Sequence, residues 1–86
     1  MSPDTRIEHK RNSKAVFDRM IRLGFQKEFA MIVSNEMCTN YTSKRMCGYL
    51  DAAAPRSMEE VADEMLIILE ERDRYKEKIE NRHIIW

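Results

Sequence analysis

After Pro55 the chain contains neither glycine nor proline again, and that run fixes what its last third can become. In "AAAPRSMEE" the proline ends one helix, because its ring and missing N–H cannot continue it. Ser57, with Glu60 three residues later, then has the pattern of a capping box. Glu59, Glu60, Asp63 and Glu64 place negative charge where a helix dipole favours it. The spacing predicts a helix from Met58 to about His83, ~39 Å long. Helices of about eleven residues reach only ~17 Å, so short upstream helices cover it only if they are staggered along it.

The upstream elements are set by caps and breaks. Residues 1–12 are polar, with His9, Lys10 and Arg11 clustered and no sustained period, and are read as a flexible arm. A helix is predicted from Asn12 or Ser13, either of which can cap it. Its apolar stripe is Val16, Phe17, Met20 and Ile21, with Leu23 at the edge. Gly24 stops it as a left-handed residue, and Phe25 folds back on its last turn. A second helix, about Gln26 to Met37, carries Phe29, Ile32, Val33 and Met37 at helical spacing, with Ala30 beside them. "CTNYT" breaks that spacing. Asn40 reads as left-handed, Thr42 as the cap of a third helix over about Ser43 to Ala53, and Tyr41 as packing on Met46. Gly48 inside that helix suggests a close helix approach or a kink.

The last helix changes character along its length. From Met58 to Leu69 the stripe is broad, with Val61, Ala62, Met65, Leu66 and Ile68 in it, as suits a helix lying against several others. Beyond Leu69 only a narrow seam continues, through Arg72, Tyr75, Ile79, Arg82 and Trp86. Its alternating steps of three and four are those of a coiled coil. Glu70 with Arg74, and Lys76 with Glu80, support the exposed faces.

Hydrophobic residues make up 43% of the 86, which fits a packed domain rather than a disordered chain. A core of this size contributes only ~3–5 kcal/mol, so association would be useful support. Net charge is zero but unevenly spread. Residues 1–50 hold nine Lys/Arg against five Asp/Glu, and residues 51–86 hold six against ten. Such a split suits either two halves packed within one chain or head-to-tail self-association. Two cysteines, an N-terminus without a signal-peptide core and no membrane-length apolar run point to a soluble, cytoplasmic protein.

Catalytic patterns are not found: no phosphate-binding glycine loop, nucleophile elbow or His-Glu-x-x-His helix is present. Cys38 and Cys47 lack the close spacing of structural zinc sites and read as free thiols behaving as small hydrophobes. No catalytic residue, metal or cofactor is assigned. "FAMIVSNEMCTNYTSKRMCGYL" does have the outline of a helix-turn-helix, with Lys44 and Arg45 at the start of the would-be recognition helix. The turn lacks glycine, Asp51 weakens the reading face, and the chain has no strong basic footprint.

"NYTSKRMCGYL" followed by "PRSMEEVADEMLIILEERDR" resembles a group of short hypothetical proteins of gut Gram-positive bacteria. They carry a similar pattern at the positions of Thr42, Arg45, Met46, Tyr49 and Leu50. It continues at those of Asp63, Glu64, Met65, Leu66, Ile68, Leu69 and Arg72. The resemblance covers roughly residues 20–80 and brings no activity with it. The group's frequency in mobile elements implies at most a regulator or inhibitor of phage or plasmid descent.

The expectation is therefore an all-α fold, three short helices packed on one long C-terminal helix, with residues 13–86 as one domain and 1–12 as the arm. The function expected is that of a small protein-interaction module rather than an enzyme. It self-associates or binds another protein through Arg72, Tyr75, Ile79, Arg82 and Trp86, with no membrane involved. The alternative is a DNA-binding regulator that uses Lys44 and Arg45.

Overall fold

A computed structural model describes residues 3–84, with side chains from 6 to 74. Four α-helices follow one another: α1 (Pro3–Arg22), α2 (Lys27–Glu36), α3 (Asn40–Ala53) and α4 (Met58–Ile84), with no strand among the described residues. The all-α class is as expected; two features of its arrangement are not.

The first concerns the N-terminal segment. Residues 3–12 are not an irregular arm but the first half of α1, which is 20 residues long. Pro3 suits the first helical position, and no breaker intervenes before Gly24. Asn12, expected as a cap, lies mid-helix. Its Nδ2 donates to the Cys38 carbonyl at 3.0 Å and to Asn40 Oδ1 at 2.8 Å, tying α1 to the start of α3.

The second concerns the hub. α1 packs against both α2 and α3, while α4 packs chiefly on α3. α3 is therefore flanked by α1 and α4. Contacts along α3 give the directions. Asn12 meets Asn40 and Arg19 meets Asp51, so α1 and α3 run parallel. Tyr49 reaches the Glu60 carbonyl and Tyr41 reaches Glu71, so α4 runs antiparallel to α3.

Local signals place most helix ends. At the end of α1, Gly24 has φ 95°, its N–H donates to Ile21 O at 3.0 Å, and Phe25 N–H donates to Met20 O at 3.1 Å. That is the Schellman arrangement. Phe25 also stacks at a tilt on Phe29, ring centres 5.7 Å apart. The cap of α3 lies three residues before the expected Thr42. Thr39 is the N-cap, accepting from Thr42 N–H at 3.1 Å, while Thr42 Oγ1 accepts from Thr39 N–H at 3.2 Å. Asn40 is thus the first helical residue rather than a left-handed one. At α4, Ser57 Oγ accepts from Glu60 N–H at 3.2 Å, and the Glu60 carboxylate accepts from Arg56 N–H at 3.0 Å. Only the first half of the expected capping box forms. The second bond falls one residue upstream.

The core is Val16 and Met20 from α1, Ala30 and Val33 from α2, Met37, Met46 and Leu50 from α3 and its approach, and Val61 and Ile68 from α4. Its methionines fill irregular space with little rotamer preference. Gly48 is not at a close approach: a Cβ there would meet no described atom within 4 Å.

Candidate functional site

α4 is the least covered helix relative to what it offers. On a helical projection Val61 and Ile68 point at α3 and are fully buried, with Met65 and Leu69 half-buried beside them. The rest of the broad stripe is open. Met58 is 55% exposed, Leu66 61% and Ile67 47%. α3 is the main neighbour of α4 among the described residues and covers one side of the stripe. Ile21 and Ile32, also expected in the core, are exposed for the same reason: their helices have no neighbour on that side.

Polar contacts hold α4 where it meets α3. Arg45 donates through Nε and Nη2 to the two oxygens of Glu71, both at 3.0 Å, a bidentate pairing. The same guanidinium is 3.8 Å from Glu64. Tyr41 Oη donates to Glu71 at 2.9 Å. These donors hold the Glu71 carboxyl below the ordinary range, Arg45 first and Tyr41 second. Tyr49 lies closer to the connection, and partial burial pushes its hydroxyl up, helped by Glu60, Glu64 and Asp63. On the other side of α3, Arg19 Nε donates to both Asp51 oxygens, at 3.1 and 3.2 Å, the α1 counterpart of the Arg45–Glu71 pair.

This geometry bears on Lys44 and Arg45 directly. Lys44 is exposed and lines a shallow groove of about 460 Å³ with Tyr41, Arg45 and Gly48. Arg45 is taken up by Glu71. Asn40 accepts from Asn12 and donates through Nδ2 to the Glu8 carboxylate at 3.4 Å. Most polar side chains in the first turns of α3 are therefore engaged within the chain, and two carboxylates of α4, Glu64 and Glu71, lie against Arg45.

Of the expected contact residues, Arg72 lies on the α3 side of α4, 30% exposed, its Nη2 3.7 Å from Asp73. Its buried Nε has no partner among the described residues. Tyr75, Ile79 and Arg82 stand on the helical backbone of α4, but their side chains lie outside the described residues, and Trp86 lies outside them altogether. Helical spacing places Arg72, Tyr75 and Ile79 on the same stripe as Val61 and Ile68. Of that stripe, Val61 and Ile68 are buried.

The cysteines are free and half-buried. Burial pushes the Cys47 thiol up, against a smaller opposing pull from Arg19. No group of metal-ligating side chains occurs among the described residues, and no helix searched is long and apolar enough to cross a membrane. Sequence reasoning missed the pairs Arg45–Glu71, Tyr41–Glu71 and Arg19–Asp51. Each joins residues about thirty apart, where helical spacing carries no signal. Comparison with family models, with curated proteins and with solved structures gives no match.

Proposed function

We propose that the protein is a small interaction module that self-associates or binds another protein through α4, with the C-terminal half of that helix as its anchor. The observation that carries this reading is the register of α4 on α3. Glu71 already meets Tyr41 and Arg45 in the first turns of α3, and the helix continues to Ile84. Residues 72–84 therefore follow after α3 has begun, and by the rise of a helix they span ~18 Å. Arg72, Tyr75, Ile79 and Arg82 belong to that stretch, Trp86 follows it in sequence, and together they offer the aromatic and arginine chemistry that dominates binding hot spots. The open apolar side of the preceding turns, Met58 and Leu66 above all, supports the same reading.

The DNA-binding alternative gains less. Its Arg45 is committed to Glu71, and only Lys44 of the pair is free to meet a phosphate.

A chain ending at Arg74 keeps every described side-chain contact and removes all of the proposed anchor except Arg72. Its association, followed by light scattering for self-contacts and by affinity capture for other proteins, is expected to weaken by about tenfold or more. Unchanged association after that truncation would remove the tail from the account.

A further inference from the structure

Beyond the tail, the outward sides of α1 and α4 form a matched pair. On α1, Ile7 (53% exposed) and Ile21 (42%) lie on one side of the helix. Helical spacing sets Lys10, Arg11, Lys14 and Arg22 around them, all exposed. Asp18, an acidic residue on that side, is already engaged by Lys14 at 3.1 Å. On α4, Met58 (55%) and Leu66 (61%) are bordered by Glu59, Asp63, Glu70 and Asp73, again exposed. Arg74, a basic residue beside them, is engaged by Glu70 at 3.9 Å. Each side thus sets exposed apolar residues among four exposed like charges, and the two signs are opposite. Ile7 to Ile21 spans ~21 Å and Met58 to Asp73 ~22 Å along their helices.

Within one chain these two sides do not meet. α1 and α4 flank α3, and the pair makes no substantial packing among the described residues. We infer that they meet between copies: the outward side of α1 docks on the outward side of α4 of a second chain. The inference rests on the self-association branch of the proposed function, but not on residues 75–86. Opposite rims favour this pairing over α1 on α1 or α4 on α4, each of which sets like charges together. The contact is heterologous, because it joins two different surfaces, so a chain bound through one side still presents the other. One helix pair buries less than the roughly 1,000 Å² of a stable interface, and the contact is accordingly weak and dependent on concentration and salt.

Two single variants test it together. Ile7→Asp spoils the α1 side and Leu66→Asp the α4 side, and both positions are exposed, so the helical content seen by circular dichroism should be unchanged. By light scattering the unaltered chain should grow beyond a dimer as concentration rises. Each variant alone should stay at the monomer mass of 10.3 kDa. An equimolar mixture retains one good α1 side and one good α4 side, and should form a dimer and nothing larger. A monomeric unaltered chain, a variant that still associates like it, or a mixture that stays monomeric would each overturn the inference. The chain ending at Arg74 keeps both sides. Loss of the tail effect and loss of the α1–α4 contact are therefore read in separate experiments.

Discussion

α1 and α4 both lie on α3, yet they end up differently covered. α1 buries Val16 and Met20 completely and has α2 as a second neighbour, which leaves Phe17 and Leu23 half-covered. α4 carries the broader apolar stripe and packs chiefly on α3, so Val61 and Ile68 are buried while Met58, Leu66 and Ile67 stay in water. The two ion pairs repeat the symmetry of position: Arg19–Asp51 ties α1 to α3, and Arg45–Glu71 ties α4 to it. What differs is the number of neighbours. An amphipathic pattern says how much of a helix is suited to burial, and the number of packed neighbours says how much this chain buries by itself. The remainder is surface available to another molecule.

The largest expected effects separate the two helices. Met20→Ala should destabilise the whole chain by about 3 kcal/mol, since it leaves a cavity where α1 meets the rest of the core. Ile68→Ala should cost a similar amount at α4. Its signature should be faster amide exchange confined to that helix while α1 and α2 stay protected. Leu66→Ala, two residues away but exposed, should change stability by less than about 0.5 kcal/mol. Uniform loss of protection in Ile68→Ala would show that α4 belongs to the same cooperative unit as α1, and the contrast drawn above would fail.

A smaller change sharpens the account of α3. Gly48→Ala should stabilise the chain by about 1 kcal/mol, because the position is helical and the added methyl meets no described atom. A loss of stability in thermal melts would mean that something approaches Gly48 after all.

The smallest effect is expected from pH. Glu71 has its carboxyl lowered in the folded chain by Arg45 and Tyr41. Its contribution is therefore complete above the carboxyl range of the unfolded chain and is lost as pH falls through the lower folded value. Melts of the unaltered chain and of Glu71→Gln should differ at neutral pH and converge in acid. Because the pair is partly exposed, the difference should also shrink in high salt. A gap that widens in acid would have the wrong sign for this pairing.

Features governed by neighbours in sequence were legible in advance. Gly24 and Phe25 close α1, Pro55 and Ser57 separate α3 from α4, and Val16, Met20, Val33, Met46, Leu50, Val61 and Ile68 follow from spacing alone. The errors have a common physical origin. Residues 3–12 carry no apolar period, so nothing local distinguished a polar helix from an arm, and Asn12 looked like a cap because its tertiary partners, the Cys38 carbonyl and Asn40, were out of view. Thr39 and Thr42 are equally good capping residues, and their reciprocal bonds decided the start of α3. Which half of the α4 stripe would be covered depended on where α3 lay, as did the pairing of Arg45 with Glu71. For the candidate contact surface, spacing supplied the stripe on α4, and only the fold supplied its open side and the opposing side of α1.

The solution mass of the intact chain, measured by light scattering over a wide concentration range at low and at high salt, addresses the central claim most directly. The open sides of α1 and α4 predict a mass that climbs with concentration and returns toward the monomer as salt is raised. A mass of 10.3 kDa at every concentration and salt would contradict it.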